Sequence, residues 1–143
     1  MFDATVSDLL RLKPEPHIVA VSPAATVTYA VCLMNHHSVG AVLVMDGTVL
    51  RGVFTERDVL RRVIEPGLDP GITLIDEVFS ADPRTIGPSE LAERAVDLMV
   101  DGGFRHLPIV AGDDVQGMLS MRDLNSWLIR KLLPRENPTD AVA

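Results

Sequence analysis

Apolar residues recur along this chain with two spacings, and the spacings alternate in a fixed order. Between Pro23 and His36, Ala30, Val31, Leu33 and Met34 fall at the intervals that put side chains on one face of a helix. The stretch from Pro88 to Asp101 does the same with Ala95, Val96, Leu98 and Met99. Both predicted helices open on a proline, which loses nothing in a first turn where an N–H has no helical acceptor. DGG at Asp101 to Gly103 ends the second helix by offering a glycine for a left-handed cap. Each helix leads into a short, almost unbroken apolar run, VGAVLVM from Val39 and FRHLPIV from Phe104, which predicts strands covered on both faces. Asp46-Gly47 and the segment Ala111 to Asp114 then predict hairpin turns into second strands, VLRGVF and VQGML. Helices from Thr55 to near Glu65 and from Ser120 to near Leu133 close the two series, and short extended segments, HIVAVS and RTIGPS, open them.

The two series are copies. At an offset of 65 residues, Val21 to Ile64 meets Ile86 to Ile129 without a gap, and ten of the 44 positions are identical where chance gives about three. EPGLDPG, from Glu65 to Gly71, separates the copies with prolines and glycines that cannot continue a helix. The division is therefore a first repeat with its N-terminal segment at 1–67, a second at 68–134, and a polar, proline-broken tail at 135–143 expected to be mobile. A repeat of about 60 residues has little core of its own, so the pair is expected to fold as one module.

Composition narrows the classes. The longest apolar runs fall far short of the roughly 18 residues that cross a bilayer. The opening MFDATVSDLL carries acids where an export signal carries basic residues, so a cytoplasmic, non-membrane protein is expected. A net charge of −7 opposes broad contact with a phosphate backbone, and no nucleic-acid partner is expected. Cys32 stands alone within AVCLM and reads as helix core. His36 and His37 are adjacent, hence about 100° apart on a helix, and cannot hold one metal together. Arg61 and Arg62 read as a solvated helical face, and Trp127 as the anchor of the closing helix.

Chemistry concentrates where the copies agree. GVFTERD (Gly52 to Asp58) and GMLSMRD (Gly117 to Asp123) each place a hydroxyl residue three positions before an acid at a helix start. That spacing is a capping box, and it needs no ligand. The glycine three positions earlier adds something else, a strand end where another group can approach the backbone closely. A helix start also presents free N–H groups with a partial positive charge, and a carboxylate there can accept both hydroxyls of a ribose.

This doubled pattern, with the LPIV strand of the second copy, resembles a tandem pair of cystathionine-β-synthase (CBS) domains over nearly the whole chain. The resemblance implies an α+β fold of two βαββα-like repeats related by a pseudo-twofold axis, with two clefts between them. It also implies a stand-alone regulatory module, not an enzyme, that binds AMP, ADP, ATP, NAD or S-adenosylmethionine and acts on a partner in trans. Carried over, Asp58 and Asp123 hold ribose, and Thr55 and Ser120 contact phosphate. Ile18, Val19 and Val21, and Arg84, Thr85 and Ile86, offer backbone groups and apolar walls to adenine, and Ala41 to Leu43 and His106 to Pro108 line the clefts. Arg105 and His106 read equally as phosphate ligands or as a solvated strand end, and Arg57 and Arg122 sit unfavourably at helix starts. Glu56 would repel a polyphosphate, which ranks the Ser120/Asp123 site above the Thr55/Asp58 site. A homodimer through helical faces including Leu128 and Leu132 is implied as well. The alternative is a scaffold that keeps the fold and has lost its ligand.

Overall fold

The computed structural model describes residues 3–133, so the expected tail at 135–143 lies outside the described residues. The fold is mixed α+β and contains both repeats. In the first, β1 (Ala20–Val21) leads to α2 (Val27–His37), the hairpin of β2 (Ala41–Asp46) and β3 (Val49–Thr55), and α3 (Glu56–Asp58). A wider-wound π-helical stretch, Val59–Ile64, continues α3. In the second, α4 (Ala92–Gly102), the hairpin of β5 (His106–Ala111) and β6 (Asp114–Ser120), and α5 (Met121–Leu132) follow in the same order. The chain begins with α1 (Val6–Arg11), and the inter-repeat segment adds a 3-10 turn, Ile75–Glu77, and β4 (Ser80–Ala81).

The sheets follow from the apolar runs. β1 lies parallel to β2, β2 pairs antiparallel with β3, and β3 antiparallel with β4. β5 and β6 form the second hairpin, and the RTIGPS segment contributes a single parallel bridge, Ile86 to Ile109. Both hairpins carry a bulge at the corresponding place, Val44/Met45 and Ile109/Val110. Gly47 and Gly112 turn them with φ of 61°. As the runs predicted, β2 is covered on both sides. Val42 and Val44 enter a core with Val27, Ala30, Met34 and Phe54, while Ala41 and Leu43 meet Val115 and Met118 of the opposite sheet.

Packing crosses the boundary between residues 67 and 68 twice. α1 belongs to the core of the second repeat, where Val6, Leu9 and Leu10 join Ile86, Met99, Leu107 and Leu119. Its backbone docks on the entry to α4 through Val6 N–H to Glu90 (2.8 Å), Ser7 N–H to Pro88 (2.9 Å) and Ala92 N–H to Ala4 (2.9 Å). The inter-repeat segment returns the arrangement to the first core. Ile75 and Val78 are buried there, and residues 70–76 bond to the entry of α2 through Val27 N–H to Thr73 (3.0 Å) and Ile75 N–H to Ala25 (2.8 Å). Each repeat is thus completed by the segment that precedes the other.

Two local expectations change. The first helices start later than their prolines, at Val27 after a Thr26 cap and at Ala92. The residues before them are held in turns by the docking bonds just described. Cys32 is exposed, because α2 buries the stripe of Val27, Ala30 and Met34 and turns Cys32 outward. Trp127 anchors the closing helix in the second core, and Gly103 caps α4 at φ 71° as expected.

Candidate functional site

Both repeated motifs fold as capping boxes. Thr55 Oγ1 accepts from Asp58 N–H (3.2 Å) while Asp58 Oδ2 accepts from Thr55 N–H (3.0 Å). Ser120 Oγ accepts from Asp123 N–H (3.1 Å), and Asp123 Oδ2 accepts from Ser120 N–H (2.7 Å). The two glycines answer the close-approach argument with protein. A Cβ on Gly52 would stand 2.2 Å from the Ser80 carbonyl oxygen, and one on Gly117 would stand 3.0 Å from that of His17. The approaching groups are the two exchanged segments, which lie against β3 and β6.

Beyond the boxes the two acids differ. The Asp58 side chain is 9% exposed and accepts from Thr55 Oγ1–H (3.2 Å) and from Ser80 Oγ–H at Oδ1 (3.2 Å), with Arg62 Nε 3.3 Å from Oδ1. Its two oxygens are both occupied. Arg62 also donates to the Phe79 carbonyl (3.1 Å), so the side chain read as part of a solvated face is half-exposed but paired. The Asp123 side chain is 21% exposed, and its further partner is Lys13, whose Nζ lies 2.8 Å from Oδ2 and donates to the Met118 carbonyl at 2.7 Å. Among the described residues Asp123 Oδ1 has no hydrogen-bond donor.

His106 joins this second acid. It is half-buried at the start of β5, and its pKa is held below the ordinary 6.5, chiefly by burial and then by the positive charge of Lys13. Arg105 pushes the same way, whereas the nearby carboxylates Glu56 and Asp123 pull it up. Glu56 reaches it from the other repeat: the space above Gly40 lies 3.0 Å from Glu56 Oε1 and 3.7 Å from His106 Nε2. Lys13, Glu56, His106 and Asp123 therefore form one charged cluster across the junction of the repeats.

The remaining candidates scatter. Ile18 and Val21 line an open groove of about 470 Å³ with Ser22, Met45, Thr48, Asp114 and Val115. Neither acid is on its wall. Val19 spends its carbonyl on Leu43 N–H (2.9 Å). Ile86 is not a cleft wall: its side chain is in the second core, and its N–H and carbonyl are both bonded to β5, at Pro108 and Val110. Pro108 is buried, while Arg84, Thr85, Arg57, Arg105 and Arg122 are exposed. The four arginines make no ion pair among the described residues.

Sequence reasoning missed Lys13 and Ser80. They lie outside the aligned copies, at positions the 65-residue offset maps onto Val78 and Glu15, so no shared pattern marks them. Arg62 carried a legible signal, the four-residue spacing from Asp58 that brings two side chains together on a helix.

The architecture is that of a paired-repeat α+β module, and comparison with known proteins agrees. The family model for the CBS domain matches residues 6–65 and 75–130, so the chain belongs to the CBS-domain family. It is 36% identical over 107 residues to the CBS domain-containing protein YhcV of Bacillus subtilis (strain 168), covering 75% of this chain and 76% of that one. It spans only about a fifth of several longer curated relatives. Among solved structures, a putative signal-transduction protein with CBS domains from Burkholderia ambifaria MC40-6 superposes with a TM-score of 0.83 at 30% identity, covering 94% of this chain and 97% of that one. CBSX2 in complex with AMP has a TM-score of 0.72 at 23% identity, covering 90% and 98%, and shares the fold. No helix among the described residues is long and apolar enough to cross a membrane.

Proposed function

We propose that the chain is a regulatory module that binds an adenosine-containing ligand, one of AMP, ADP, ATP, NAD or S-adenosylmethionine, at the Ser120/Asp123 cleft and modulates a partner protein in trans. CBS-domain proteins often bind nucleotides in regulation, and one relative of this fold is known in complex with AMP. The observation that carries the choice of cleft is the free oxygen of Asp123, on a partly exposed carboxylate at the start of a twelve-residue helix. A ribose diol needs such an acceptor. Ser120, His106 and Arg105 stand beside it as donors for a phosphate, and the role is binding without turnover.

A thermal-shift panel tests the reading. A ligand at about 100 times its Kd adds about 2.7 kcal/mol, raising the melting midpoint of a chain this size by roughly 5–10 °C. Asp123→Ala should weaken binding about tenfold or more in a folded variant. A flat response to all five ligands overturns the reading.

The occupied oxygens of Asp58 favour a second assignment for the first repeat, in which that acid is purely structural and one cleft of the two takes ligand. A homodimer through helical faces fits the exposed Leu132 and Ile129 of α5, whereas Leu128 packs partly on the chain's own core. Light scattering showing only monomer would remove it.

A further inference from the structure

Lys13 sits on the strap that connects α1 to β1, and its backbone is fixed at both ends. Its N–H donates to the Leu10 carbonyl (3.0 Å), and its own carbonyl lies 3.2 Å from His17 Nε2. The strap is pressed onto β6, since the His17 carbonyl occupies the place a side chain on Gly117 would need. From there the ammonium reaches Asp123 and the Met118 carbonyl, and among the described residues one of its three donors is unused. The first repeat has no lysine at the corresponding position, which is Val78, buried in the core. There the exchanged segment meets Asp58 with the neutral hydroxyl of Ser80, and the cation beside that acid, Arg62, comes from its own helix.

A ligand that lays its ribose on Asp123 must therefore share the carboxylate with a partly buried ammonium or displace it. An uncharged nucleoside offers Lys13 no compensating anion, and a cationic ligand repels it. A phosphate on the 5′ carbon gives the ammonium a new anionic partner while the diol takes the carboxylate, and charge-assisted hydrogen bonds of this kind are the strong ones. Lys13 is also a flexible point charge, able to swing between two acceptors without the fixed fork of an arginine.

We propose that Lys13 is a specificity-determining residue of the second cleft, selecting adenosine ligands that carry a 5′ phosphate over adenosine itself and over S-adenosylmethionine. This rests on the assignment of Asp123 to the ribose. The pKa of His106 is lowered first by burial and then by Lys13, so the field of the same ammonium reaches that residue as well.

The experiment is calorimetric titration of the full chain with AMP, adenosine and S-adenosylmethionine, with amide shifts of Ser120, Met121 and Asp123 locating the site by NMR. Wild type should bind AMP about tenfold or more tighter than either other ligand. Lys13→Met should reduce the AMP-to-adenosine ratio to about threefold or less, chiefly by weakening AMP, while Lys13→Arg keeps most of it. AMP and adenosine binding with the same ratio in wild type and Lys13→Met overturns the role of Lys13 and leaves the ribose assignment standing. Tighter binding of S-adenosylmethionine than of AMP by wild type overturns it too. No binding of any of the three by wild type overturns the role of Lys13, and a flat response to ADP, ATP and NAD as well overturns the ribose assignment with it. The wild-type ligand series needs no variant, so the proposal stays exposed to failure if Lys13→Met does not fold.

Discussion

The two repeats write nearly the same seven residues and finish them differently. In the first, the exchanged segment brings Ser80, the helix adds Arg62, and Asp58 is buried with both oxygens engaged. In the second, the exchanged segment brings Lys13, Trp127 replaces Arg62 and turns into the core, and Asp123 stays partly exposed with one oxygen that has no donor among the described residues. The motif therefore sets the helix cap in both places, while the neighbour supplied from elsewhere in the chain decides whether the carboxylate is buried and fully engaged or left partly exposed.

The largest effect should come from the glycines where those neighbours press. Gly52→Ala drives a Cβ to 2.2 Å from a backbone oxygen and 2.6 Å from the Phe79 ring, and backbone cannot yield cheaply. A loss of about 3 kcal/mol is expected from urea denaturation. Gly117→Ala meets a movable Leu10 methyl at 2.9 Å and the His17 carbonyl at 3.0 Å, and should cost about 1 kcal/mol. Equal losses would mean that the two straps are packed alike, against the comparison.

A smaller split is expected for the acids themselves. Asp58→Ala strands the Thr55 N–H and the Ser80 hydroxyl in a partly buried place and should cost roughly 1.5–3 kcal/mol. Its ion pair with the half-exposed Arg62 adds little. Asp123→Ala loses one capping acceptor and frees a lysine that can turn to water, for about 1 kcal/mol. A greater loss at Asp123 would reverse the comparison.

How much of this was legible follows from where the information lies. Periodicity reveals the helices and strands because burial of one face is a local constraint, and the 65-residue repeat exposes the motif pairs because both copies meet it. The capping boxes are readable for the same reason, as Thr55 and Asp58 solve their geometry within four residues. Lys13 and Ser80 are not readable, since they reach their acids only through the exchange of segments, a tertiary event without spacing or period. Cys32 shows the converse limit: its apolar neighbours suggested burial, but the angle around α2 decides, and that angle became clear only with the start of the helix.

The smallest effect concerns His106, whose counterpart in the first repeat is Ala41, so only the second acid has a titrating neighbour of this kind. Burial, Lys13 and Arg105 lower its pKa, and Glu56 and Asp123 raise it without prevailing. The folded protein thus binds this proton less readily than the unfolded chain. Between the folded pKa and about 6.5 the unfolded state holds more protons, so stability rises with pH across that window and falls as acid is added. Urea midpoints for wild type and His106→Gln, compared between pH 7.5 and 5.5, should diverge with wild type losing more on acidification. NMR titration of the ring should show a midpoint below 6.5 that moves up in Lys13→Met and down in Glu56→Gln, since each substitution deletes one of the opposing fields. A midpoint indifferent to Lys13 would detach the imidazole from the cluster around Asp123, and with it the claim that the second cleft is electrostatically coupled where the first is sealed.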